Sequence, residues 1–135
     1  MLIKLMSSPV QNGASRLLKM HLESGGETTL TESEQLFQLL TYLSNWESKL
    51  HLLQLIQYVP ISPASKPEVE GFLRDSLVDE NNFVRAWAYD GFYRIASQYP
   101  EYREEVRKFF QLAHRDEAPS VLARLRQILK KDDWL

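Results

Sequence analysis

Val69, Phe72, Leu73, Asp79, Glu80 and Val84 return as Val106, Phe109, Phe110, Asp116, Glu117 and Val121, each pair 37 positions apart with no gap. A period of this length corresponds to one supersecondary unit, and a unit that small cannot bury its apolar face alone. Copies must stack, each covering the next. The offset therefore predicts an all-α architecture of stacked antiparallel helical pairs, a short α-α superhelix or solenoid, and argues against a single closed bundle.

Local signals agree on helices. No run alternates apolar and polar residues for long between turn residues, so strand signals are nearly missing. A first helix is expected from about Pro9 to Glu23, with Leu17, Leu18, Met20 and Leu22 as its apolar surface and Gly25-Gly26 as its stop. Thr31 and Glu34 have capping-box spacing and predict the start of a second helix, whose stripe is Leu36, Phe37, Leu40 and Leu43. Ser44 or Asn45 caps a third, from Trp46 to Val59, with Leu52, Leu55, Ile56 and Val59 facing inward. Pro60, Pro63 and Pro67 break the chain and mark residues 60–66 as loop. A fourth helix runs from Pro67, where a first-position proline costs no hydrogen bond, to about Val78. Asn81 and Asn82 separate it from a fifth, Phe83 to Gln98. Pro100 opens a sixth, reaching His114, and Pro119 a seventh, reaching Lys131.

Short links pair helices two with three, four with five and six with seven. Residues 1–135 then form one domain: a leading helix and loop over 1–30, a divergent repeat over 31–59, and repeats over 67–98 and 100–131. In the divergent copy the offset is 36, and Ser48 stands where the others have Val84 and Val121.

With 135 residues, 44% of them hydrophobic, the chain can bury a proper core. It has no apolar run near the length a membrane span needs. The apolar opening from Met1 to Met6 stops at Ser7-Ser8-Pro9, too soon for a secretory signal, and a cytoplasmic protein is expected. Absence of cysteine excludes disulfides, a thiol nucleophile and thiolate metal sites. Net charge is −2, divided as six Lys/Arg against ten Asp/Glu over residues 1–81 and ten against eight over 82–135. That asymmetry falls short of a basic stripe for nucleic acid.

Asp79, Val84, Arg85, Ala88 and Phe92 follow a recognisable order: an aspartate closing one helix, valine-arginine, then alanine and a large apolar residue on the next. This stretch resembles the HEAT-repeat family. The following unit matches with Asp116, Val121, Leu125 and Leu129, so the resemblance covers residues 67–131 well and 31–59 weakly. It implies a HEAT-like solenoid in which the aspartate and arginine are structural ties between repeats. Leu122 stands in place of the second arginine and interrupts such a ladder.

Physical reasoning on the fifth helix gives Asp79 a capping role toward free N–H groups. Val84, Ala88, Gly91, Phe92 and Ile95 form its buried face, with Ala88 and Gly91 allowing close approach. By subtraction, Arg85, Tyr89 and Tyr93, flanked by Ala86, Asp90 and Arg94, form the opposite side. The forward offset adds Leu122, Arg126 and Lys130, with Ala123, Gln127 and Lys131 beside them. The backward one adds Lys49, Leu53, Gln54, Gln57 and Tyr58. Second helices of a stack share one surface, so Arg85, Tyr89, Asp90, Tyr93, Arg94, Arg126 and Lys130 are the candidate partner-binding residues, arginine and tyrosine being enriched at hot spots. A protein partner is expected. The alternative is nucleic acid bound by Arg126, Lys130 and Lys131, and a purely structural role for Arg85 and the tyrosines competes with both. Trp87, between the faces, is read as packing.

Catalytic signals are sparse. His21, His51 and His114 sit singly on different helices without HExxH spacing, no phosphate-binding glycine loop follows Gly25-Gly26, and no Gly-x-Ser-x-Gly occurs. Glu101, Glu104 and Glu105 suit a helix start and have Arg103, Arg107 and Lys108 nearby. HEAT-like DNA glycosylases present tryptophan, aspartate and arginine to damaged DNA, and Trp87, Asp90 and Arg94 are the only comparable set; no glycosylase motif matches residue by residue. The expectation is a non-catalytic interaction module or scaffold with no cofactor or metal. The apolar ends, Met1 to Met6 and Trp134-Leu135, either cap the stack or meet another copy.

Overall fold

A computed structural model of the chain describes residues 18–26, 29–38, 40, 43 and 45–135. The expected helix start at Pro9, Leu17, the Met1 to Met6 run and Ser44 lie outside the described residues. Among the described residues the structure is all-helical, with no strand. Residues 18–23 are helical. Then follow α1 (Leu30–Gln38), α2 (Trp46–Leu55), α3 (Lys66–Leu77), α4 (Asn82–Gln98), α5 (Arg103–Asp116) and α6 (Pro119–Lys131). Short 3₁₀ turns occupy Ile56–Tyr58, Pro63–Ser65 and Pro100–Tyr102. No helix among the described residues is long and apolar enough to cross a membrane.

Helix ends lie close to where local chemistry puts them. Gly25 adopts φ 97°, and the amides of Gly25 and Gly26 donate to the carbonyls of Leu22 and His21. This is a Schellman stop, which needs a left-handed residue at Gly25. A Cβ on Gly26 would overlap the His21 ring, so that position is small for a different reason. Asn45 caps α2 by accepting the Glu47 amide at 2.7 Å. Asn81 caps α4 by accepting from Phe83 and Val84.

Four expectations are corrected. The capping box is formed by Thr29 and Glu32: the Glu32 amide donates to Thr29 Oγ1 at 3.1 Å, and the Thr29 amide to Glu32 Oε1 at 3.0 Å. Thr31 and Glu34 share that spacing two residues later, and Glu34 instead accepts from the Ser62 hydroxyl at 3.2 Å. Accepting the Thr29 backbone N–H, and then its hydroxyl, lowers the Glu32 pKa below the usual carboxylate range. Asp79 does not cap α4 directly; its carboxylate accepts the Asn81 amide at 2.9 Å and holds the residue that does. The third helix tightens into a 3₁₀ turn after Leu55, and α3 starts one residue before Pro67, after the Pro63–Ser65 turn. Met20 is 55% exposed while Leu18 and Leu22, one turn apart, are buried.

The chain divides into two compact units, residues 1–72 and 73–135, with the boundary inside α3. In the first, Leu36 and Phe37 of α1 and Leu52, Leu53 and Leu55 of α2 are fully buried. Ser48, at the position of the two valines, is 0% exposed and its hydroxyl has no hydrogen-bond partner.

In the second unit α4 is central. Ten of its seventeen residues are buried, more than a single apolar stripe supplies, so it is enclosed on more than one flank. It packs on both α5 and α6, which also pack on each other. α5 and α6 are one-sided by comparison, burying Val106, Phe110 and Ala113, and Val121, Leu125 and Ile128. Edge-to-face rings join α4 to α5: Tyr89 with Phe110 at 5.8 Å and Phe92 with Phe109 at 5.1 Å. Between α4 and the α6 region, two contacts link residues 37 apart: Arg124 lies over the Trp87 ring, and Trp134 Nε1 donates to Ser97 Oγ. Both contacts share the 37-residue separation, a packing compatible with segments that run the same way.

Candidate partner-binding surface

Arg85 leaves the first turn of α4 and is spent on its surroundings. Its guanidinium donates to both Glu117 carboxylate oxygens at 3.2 Å, to the carbonyls of Asp79 and Glu80, and to Asn82 Oδ1 at 2.7 Å. One side chain thus ties the loop before α4 to Glu117 in the link between α5 and α6. Tyr89, one turn on, donates to Glu117 at 3.4 Å. Burial, then the Glu117 charge and its hydrogen bond, push the Tyr89 phenol up to about 12, with Arg85 acting in the other direction.

Asp90 is 2% exposed and held from two sides. Arg94 Nε reaches one carboxylate oxygen at 3.2 Å and Arg124 Nε approaches the other at 3.5 Å. The Arg124 guanidinium also sits 4.5 Å from the Trp87 ring centre, so one side chain meets both Trp87 and Asp90. Tyr93 donates to the Lys131 carbonyl and stacks on Trp134 at 5.4 Å and 11°. Trp134 is further covered by Arg103 and Arg107, and Arg107 donates to its carbonyl at 2.8 Å. Trp134 thus packs against α4 and α5 of its own unit.

The structure thus gathers Arg85, Tyr89, Asp90, Tyr93 and Arg94 along one flank of α4 but does not leave them as an open face. Tyr89, Asp90 and Tyr93 are 7%, 2% and 6% exposed. Subtraction assigned α4 a single buried stripe, whereas α6 covers the flank that was expected to be free. Leu53, placed on the same surface by the backward offset, is also buried, while Tyr58 is exposed. Arg126 and Lys130 stand exposed on α6. That helix contains Arg124, Arg126, Lys130 and Lys131 and no carboxylate; among the described residues Arg124 alone of these forms an ion pair, with Asp90. Glu105 pairs with Arg74 at 2.7 Å rather than with a neighbour on its own helix.

Sequence reasoning placed neither Glu117 nor Arg124 at this surface, and it read Trp134 only as an apolar end. For Arg124 and Trp134 the repeat contained a signal, because they fall one offset after Trp87 and Ser97, the residues they contact.

At about 100° per residue, Arg107, Gln111 and His114 lie on the side of α5 opposite Phe109, and Leu122, Arg126 and Leu129 on the side of α6 opposite Arg124. Between these helices an open pocket of about 160 Å³ is lined by Arg107, Phe110, Gln111, His114, Leu129 and Leu135. Its exposed walls are mainly apolar, with Arg107, Gln111 and His114 as the polar lining. Among the described residues no group of three or more His, Asp or Glu is placed to hold a metal ion. Comparison of the chain with protein-family models, with curated proteins and with solved structures finds no match.

Proposed function

We propose that the chain is a HEAT-like helical-repeat module, a short solenoid that binds a protein partner without catalysing a reaction. The observation that carries this is the fate of its charged and aromatic side chains. Arg85, Asp90 and Arg124 are consumed in joining α4 to the pair that follows, as structural ties do in the HEAT family, and Arg94 holds Asp90 from within α4. The contacts at the repeat offset, Trp87 with Arg124 and Ser97 with Trp134, support stacking. Arg126 and Lys130, two of the expected partner-binding residues, remain exposed without an ion pair among the described residues. A scaffold with rigid backbone and prepaid packing loses little freedom on binding.

Native capture from lysate tests this, with the wild-type chain beside an Arg126→Glu, Lys130→Glu variant and nuclease treatment of both. A protein retained through nuclease and lost with the variant is expected. Identical retained sets from the two would remove this surface from the function, and recovery that vanishes with nuclease would favour nucleic acid.

A further inference from the structure

In-register stacking makes the last helical pair comparable, residue by residue, with the pair before it. We propose that the side of α5 and α6 facing away from α4 is a docking site for an acidic amphipathic helix of a protein partner. The proposal rests on the protein-binding reading above and specifies the class of partner.

Residues by which α3 and α4 meet the following pair have counterparts one offset later: Arg74, Tyr89, Phe92 and Tyr93 correspond to Gln111, Arg126, Leu129 and Lys130. The first set is engaged. Arg74 pairs with Glu105, and Tyr89, Phe92 and Tyr93 are buried, with Phe92 at 0%. The second set is open, and Leu129 is 43% exposed where Phe92 has none of its surface free. Beside it lies the pocket of about 160 Å³. An apolar cavity of about 150 Å³ takes up a benzene ring, so this volume suits one leucine- or phenylalanine-sized side chain.

Charge selects the occupant. In the covered pair, the Tyr89 hydroxyl meets the carboxylate of Glu117, which closes α5 in the short link to α6. At the open end Arg126 replaces Tyr89 and Lys130 replaces Tyr93, while α6 offers no carboxylate to either. A helix placing one apolar side chain in the pocket and carboxylates over Arg126 and Lys130 would repeat the Glu117 contact in charge-assisted form. Single-stranded nucleic acid fits less well. The pocket's ring, Phe110, is 4% exposed and packed edge-on with Tyr89, so it gives a base no platform.

The test uses the full chain and a labelled synthetic helical peptide with leucines at helical spacing flanked by glutamates, followed by fluorescence anisotropy. A lysine-for-glutamate peptide and a single-stranded oligonucleotide serve as competitors. The glutamate peptide is expected to bind wild type. Arg126→Glu with Lys130→Glu, and separately Leu129→Gln, are expected to weaken it at least about tenfold, whereas Leu112→Gln, exposed on another side of α5, leaves it unchanged. Amide shifts in the wild-type chain provide a readout independent of variant folding and are expected at Gln111, His114 and Leu129. Absence of binding, equal binding of the lysine peptide, displacement by the oligonucleotide, or shifts elsewhere would overturn the proposal. So would a concentration-dependent dimer abolished by Leu129→Gln, which makes a second copy the occupant. If the peptide fails while native capture returns a protein lost with the double variant, the protein-binding reading stands and only the acidic-helix class falls. If capture returns no such protein, the protein-binding reading falls and the proposal falls with it.

Discussion

Ser48 is the clearest departure from the repeat, and its consequence is energetic. The position is fully buried, as Val84 and Val121 are, yet its hydroxyl finds no partner. A buried unbonded polar group costs on the order of 1–3 kcal/mol, while one added methyl tests the local packing. Ser48→Val is therefore expected to raise unfolding stability by about 1 kcal/mol, read from urea midpoints at unchanged slope. A lower midpoint would mean the site is too tight for the repeat's own residue. Tyr89 yields a prediction in pH. Its pKa is raised to about 12 from an ordinary 10, so the fold favours the neutral phenol. That contribution is complete below pH 10 and is lost as pH rises toward 12. Ultraviolet titration of the folded chain should show one late tyrosine that is missing from Tyr89→Phe. The wild-type stability should fall more steeply than the variant's across the same interval. Superimposable titrations would contradict the burial of this hydroxyl beside Glu117.

Helix boundaries were the most legible part of the fold, because prolines and asparagines act through their nearest neighbours. Asn45 and Asn81 accept the amides that open α2 and α4, so Asn45→Ala and Asn81→Ala should each cost about 1 kcal/mol. Glycine at either position should cost only a few tenths of a kcal/mol, and this ranking in thermal or urea unfolding checks the capping assignment. The start of α1 was misplaced for an equally local reason. Thr29 with Glu32 and Thr31 with Glu34 have the same spacing, and only the demand of Ser62 for Glu34 separates them. The candidate surface was harder to see. Whether Tyr89 and Tyr93 face water depends on which flank of α4 receives α6, and composition along α4 does not encode that. The information lay in the offset, as Trp87 and Arg124 show, but it becomes a contact only once the two helices are known to stack in register.

At the scale of the molecule, the described helices are unequal in how much they depend on one another. α4 buries residues toward both α5 and α6, and those two helices each bury only a narrow stripe. The unit from Leu73 to Leu135 should consequently open as one cooperative body centred on α4. Gly91 provides the probe, since it is buried midway along α4 and carries no side chain. Gly91→Leu inserts a large group into a packed flank, and overpacking of this kind costs about 1–3 kcal/mol. If α4 is the shared core, native-state hydrogen exchange in the variant should quicken by a similar factor in α4, α5 and α6, although the substitution lies in α4 alone. Exchange in wild type should be slowest in α4. Should α6 keep its wild-type protection while α4 loses its own, the unit is held by local helix stability, and the ties made by Arg85, Asp90 and Arg124 carry far less of its cohesion than their burial implies.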